Sequence, residues 1–130
     1  METTTPATAD SPAARKVALG RYGEELAARH LTGLGMALLD RNWRCREGEI
    51  DLVLRDGDAL VVCEVKTRTD DSHGSPHEAV TETKLDRLHR LGERWAEAHG
   101  VRPPETRVDL VAVLRPRKGR SMLEHVRGLA

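Results

Sequence analysis

A chain of 130 residues suits one compact domain with a modest core. Its 21 basic and 21 acidic residues cancel, which removes any bulk electrostatic case for nucleic-acid binding, and Trp43, Trp95 and Tyr22 are too few aromatics for base stacking to be a major device. Cys45 and Cys63 cannot build a disulfide framework and lack CxxC spacing; with no long apolar run and no basic-then-apolar leader, neither a membrane span nor a signal peptide is expected, and a cytoplasmic setting follows.

Residues 1–13 are small, polar and proline-containing, which predicts a disordered tail ahead of a single domain over 14–130. A helix is expected from about Pro12 or Arg15 to Leu31 or Thr32, stopped by Gly33 and Gly35. At about 100° per residue, Val17, Gly20, Glu24, Ala27, Leu31 and Leu34 share one stripe, so Glu24 lies within an apolar face while Glu25 points away. Gly20 and Gly23 lower helix propensity, which makes sense where a backbone or a phosphate must come close. A glutamate at the stripe's edge that reaches water is the plainer reading of Glu24.

Met36 to Arg44 reads as a first strand, with Arg46 and Glu47 in a turn. Ile50 to Leu54 and Leu60 to Val65 then flank Arg55-Asp56-Gly57-Asp58-Ala59, a strong hairpin signal. Alternation puts Glu49, Asp51 and Val53 on one face of the first arm and Ile50, Leu52 and Leu54 on the other, and sets Leu60, Val62, Glu64 and Lys66 on one face of the second. If Gly57-Asp58 forms the turn, Asp51 lies opposite Glu64 and Glu49 opposite Lys66. If Asp56-Gly57 does, Asp51 meets Val62 and Glu49 meets Glu64. Either register gathers charge on one face.

After the hairpin, 69–74 reads as a loop, and Ser75-Pro76-His77-Glu78 combines a capping box with proline at the first helical position. The helix is expected to run to His99, end at Gly100, and bury Val80, Leu88, Leu91, Trp95 and Ala98. Lys84 shares that stripe and reads either as an apolar stem with a solvated head or as a phosphate contact. Thr106 to Leu114 alternates as a strand, and Ser121 to Val126 forms a last edge strand. Between them Arg117, Lys118 and Arg120 form a basic turn, a solvated loop or a second phosphate contact. The order of elements gives an α/β sandwich around a mixed sheet.

The charged face of the hairpin carries the chemistry. Like charges opposite each other destabilise a sheet, but a hard divalent cation reverses that sign, because carboxylate oxygens are the ligands magnesium accepts. A lysine one pleat away can orient a water or neutralise charge on a phosphoryl group. The plainer alternative is a hairpin with one solvated face. The second arm is apolar on both faces in its first half, so it reads as a central strand, where Glu64 and Lys66 are costly without a purpose.

The series GRYGEE, RNWRCREGEIDLV, VVCEVKTR, GSPHEAV and RVDLVAV, over about residues 15 to 126, resembles the YraN-like family of bacterial proteins. That family is related to archaeal Holliday junction resolvases, and Asp51 followed by Glu64-Val65-Lys66 resembles the PD-(D/E)xK nuclease pattern, with Ile50 where the motif's name has proline. The resemblance implies a restriction-endonuclease-like three-layer sandwich, a mixed central sheet flanked by helices. It implies a magnesium- or manganese-dependent endonuclease acting on DNA, branched or otherwise structured. On it, Asp51 and Glu64 carry over as metal carboxylates, Glu24 as the helix acid assisting the metal, and Lys66 as the catalytic lysine. Branched DNA is then the expected partner, with a homodimer and a protein partner that supplies DNA affinity left open. The alternative from a different class is a non-catalytic binding or interaction module that keeps the nuclease fold.

Overall fold

The computed structural model describes residues 11–69 and 80–129. Helix α1 spans Pro12–Gly33; Ser11 accepts the Ala14 amide at 3.1 Å and Pro12 fills the first turn, where its missing N–H costs nothing. Strands β1 (Ala37–Cys45), β2 (Gly48–Asp56) and β3 (Ala59–Arg68) follow as an antiparallel meander. Helix α2 (Glu82–His99) crosses back so that β4 (Glu105–Leu114) pairs parallel with β3, and β5 (Met122–Val126) closes the sheet antiparallel to β4. The mixed sheet runs β1-β2-β3-β4-β5, with β3 central.

Each face of the sheet carries one helix and one core. Ala27, Ala28 and Leu31 of α1 pack with Leu52, Leu54, Val61, Cys63, Val111 and Val113. Leu85, Leu88, Leu91 and Trp95 of α2 pack with Ile50, Val53, Leu60, Val62 and Val108. Each leucine or isoleucine fully removed from water contributes about 1.5–3 kcal/mol, so the two cores hold three layers together.

Several expectations shift by a few residues. The capping box at 75–78 lies outside the described residues, as do the tail up to residue 10 and most of the loop after β3. Val80 and Thr81 are not helical, so one unbroken helix from residue 76 does not form; α2 starts at Thr81, whose side chain caps the Lys84 amide at 3.2 Å. Ala98 is exposed, and Leu85 and Ala96 are buried in its place. Val17 near the start of α1 and Leu34 just past its end are exposed, because the buried face of that helix runs only from Gly23 to Leu31.

Candidate functional site

The hairpin turns at Gly57-Asp58: Asp56 pairs with Ala59, and Gly57 adopts φ 61°, a left-handed conformation natural to glycine. Of the two registers this is the one that carries Asp51 toward Glu64. The paired ladder ends at Leu52 and Cys63. Beyond it the Asp51 carboxylate takes the place of a backbone partner and accepts the Val65 amide at 2.8 Å. The acid therefore sits where the two central strands part.

Strict alternation fails at this point. Ile50 and Val53 both belong to the core under α2, while Leu52 and Leu54 belong to the core under α1. Ile50 has left the face it was expected to share with Leu52. Across the sheet, the register that pairs Arg41 with Leu52 and Trp43 with Ile50 sets Asn42 opposite Asp51. Asn42 has φ 48°, and among the described residues it is the one non-glycine in the left-handed region.

Glu64 and Lys66 project from the end of β3. Lys66 Nζ lies 3.3 Å from Glu64 Oε2, and Lys84 Nζ, from α2, lies 3.5 Å from the same oxygen. Glu64 is well buried, its side chain 13% exposed. Lys84 is therefore more than an apolar stem: it reaches the acid–lysine group from the opposite layer. Burial lowers its pKa, opposed by Glu64 and reinforced by Lys66.

Glu24 arrives from α1 because Gly23 lets the helix sit against β3, where a Cβ at position 23 would overlap the Thr67 side chain. Gly20 has open space around it and serves no such approach. Glu24 Oε1 accepts from Asn42 Nδ2 at 3.2 Å, and the same amide lies 3.4 Å from Glu49 Oε2. Glu25 does not simply point away; it pairs with Arg41 of β1 at 3.0 Å and with Arg29 at 3.1 Å.

Burial pushes the Asp51 carboxyl up to about 7; the Val65 amide opposes this, and the negative charges of Glu64, Glu24 and Glu49 add to it. A carboxylate crowded by others gains from a cation. Among the described residues no group of three or more His, Cys, Asp or Glu stands ready as a metal cage. Magnesium does not need one, since it binds through one or two carboxylates and keeps its waters and a substrate phosphate as further ligands. The donor set of Asp51 and Glu64 fits that ion, with Glu24 alongside. Cys63 offers no competing chemistry, because burial pushes its thiol well above the ordinary range.

The basic turn lies elsewhere on the same end of the sheet. Arg117, Lys118 and Arg120 are exposed and make no ion pair among the described residues. Arg115, which precedes them, lies over the Tyr22 ring at 4.4 Å and donates its amide to the Arg68 carbonyl, two residues beyond Lys66. Arg107 and Arg127 are instead committed to acids, both reaching Asp56.

The fold and this cluster define an α/β three-layer sandwich with acids and lysines gathered where its central strands part. The chain belongs to the family described as uncharacterised protein family UPF0102, the YraN-like family, whose model matches residues 23–113. The match takes in Glu24, Asn42, Asp51, Glu64, Lys66 and Lys84 and stops before the basic turn. The chain is 62% identical to a UPF0102 protein of Nocardioides sp. over 94% of its own length and 98% of that protein's. It is 60% identical to one of Streptomyces coelicolor, covering 87% and 88% of the two chains, and 52% identical to one of Frankia casuarinae, covering 87% and 96%. No helix among the described residues is long and apolar enough to cross a membrane.

Proposed function

We propose that this protein is a metal-dependent endonuclease that hydrolyses phosphodiester bonds in DNA, working in the cytoplasm on branched or structured substrates. The observation that carries the reading is the convergence of Asp51, Glu64, Lys66 and Lys84 where β2 and β3 separate. Asp51 and Glu64, assisted by Glu24, hold magnesium or manganese, which supplies Lewis-acid stabilisation of the phosphoryl oxygens. Lys66 holds the attacking water and offsets the charge that grows on the phosphoryl group. Lys84 adds a second ammonium on the same side, and Arg117, Lys118 and Arg120 are suited to backbone phosphates further along the strand. The restriction-endonuclease-like likeness supports this reading as analogy.

A titration of magnesium or manganese into wild type and Asp51→Asn, followed by cleavage assays on junction, flap and linear DNA, tests it. Binding by wild type that is lost in the variant supports the site. Magnesium binding that survives the substitution removes it. The balanced charge and the pairing of Arg107 and Arg127 with Asp56 favour a second reading, a non-catalytic module recruited by a DNA-processing partner. Metal-independent DNA or protein binding without cleavage of any substrate selects that one.

A further inference from the structure

We propose that Asn42 is a positioning residue for the metal site, acting through Glu24 and Glu49; the inference rests on the metal-site reading above. Two independent features single it out. The first is conformational: an ordinary residue in the middle of a strand has negative φ, whereas Asn42 stands at 48°. Asparagine is one of the few side chains that tolerate this region, and the kink falls opposite the place where β2 loses its alternation at Asp51. The kink and the lost alternation form one local device that lets Asp51 leave the ladder.

The second feature is the amide. Nδ2 donates to Glu24 Oε1 at 3.2 Å and to Glu49 Oε2 at 3.4 Å, joining a helix acid to a strand acid across the layer boundary. Without a neutral donor between them, the two carboxylates repel and turn to water. Glu49 has a second partner nearby, Arg44 Nε at 3.6 Å, but Glu24 has no other hydrogen bond or ion pair among the described residues. Asn42 therefore fixes where Glu24 stands relative to Asp51. Partners that orient a ligand typically cost about 10–100-fold in metal affinity when removed.

The test separates the amide from the backbone. Asn42→Gly keeps the left-handed conformation at no steric cost and deletes the donor; Asn42→Asp keeps the shape and replaces the donor by an acceptor. Manganese affinity is measured by calorimetry on both and on wild type, with urea unfolding of the metal-free proteins alongside. The expected result is an affinity about 10–100-fold weaker in Asn42→Gly, which unfolds near the wild-type midpoint, and a smaller loss in Asn42→Asp, whose added negative charge attracts the cation. Adding Glu24→Gln to Asn42→Gly should bring little further loss, since the two act as one unit. Wild-type affinity in Asn42→Gly, or full additivity with Glu24→Gln, overturns the role of Asn42 and leaves the metal site standing. Failure of wild type itself to bind manganese overturns both.

Discussion

Two of the aspartates in this sheet, Asp109 and Asp51, stand in opposite electrostatic circumstances. Asp109, on β4, is fully buried, yet it accepts from Arg107 Nε at 2.9 Å and Nη2 at 3.1 Å, from the Gly128 amide at 3.0 Å, and bonds to His125 Nε2 at 2.8 Å. Burial raises its pKa, but Arg107, the Gly128 amide and His125 outweigh that and hold it below the ordinary carboxylate range. Among the described residues Asp51 has one donor, the Val65 amide, and three glutamates acting against its charge. A saturated buried acid ties the chain's last strand to the sheet. A buried acid left wanting a cation is a folding liability that makes sense as a binding site.

Removing each acid should break the comparison in opposite directions. Asp109→Ala removes the acid shared by Arg107, His125 and the Gly128 amide, leaves Arg107 with Asp56 alone among the described residues, and should cost up to about 3–5 kcal/mol in urea unfolding. Asp51→Asn can still accept the Val65 amide and loses the unfavourable charge, so at pH 8 without metal it should be more stable than wild type, by up to about 4 kcal/mol. A destabilised Asp51→Asn protein would mean that the aspartate is structural after all. Next in size is metal: at about 100 times the dissociation constant, manganese should stabilise wild type by about 2.7 kcal/mol and leave Asp51→Asn unmoved.

Smallest per pH unit, though the same in total as the gain in Asp51→Asn, is the pH dependence. Asp51 has a folded pKa of about 7 against a reference of 3.8, so the folded state holds a proton that the unfolded state gives up. Stability from this group therefore falls as pH rises from about 4 to about 7, by at most about 1.4 kcal/mol per pH unit. Asp109 acts with the other sign: its folded pKa is depressed, so its contribution is present above the unfolded value and is lost as pH falls through the folded one. Urea unfolding from pH 3 to 8 should show both slopes in wild type. Asp51→Asn should keep only the acid-side loss. An unchanged neutral-side slope in that variant would remove Asp51 as its cause.

The sequence makes one of these aspartates visible and hides the other. Asp51 is legible because the hairpin has a turn signal and two alternating arms, which leave only two registers, and because Glu64 and Lys66 interrupt an apolar central strand. The central place of β3 and the mixed sheet follow from the same periodicities and the order of elements, while the three layers are implied by the family resemblance. Asp109 sits in an alternating strand like any solvated residue, and what makes it special arrives from His125 and Gly128, well beyond it in the chain. Asn42 is equally hidden: a left-handed residue in mid-strand leaves no periodic trace, and its only sequence signal is the tolerance of asparagine for that conformation. The loss of alternation at Ile50 falls opposite that kink, and the expected common face of Ile50, Leu52 and Leu54 could not anticipate it. Lys84 lies in a helical stripe, and only the packing of α2 over β3 shows that its ammonium reaches Glu64.

The central claim, that this cluster hydrolyses phosphodiester bonds, is tested most directly by single-turnover cleavage of a four-way DNA junction in manganese. Wild type and Lys66→Met are compared, with urea unfolding measured on the same preparations. Methionine keeps most of the apolar stem and removes the charge, while Glu64 retains Lys84 beside it. The account predicts cleavage by wild type, a rate about 10²–10⁴-fold lower in the variant, and nearly unchanged unfolding. Equal cleavage by the two proteins would contradict the role of Lys66, and no cleavage by wild type on junction, flap or linear DNA would contradict the enzyme and leave the binding module.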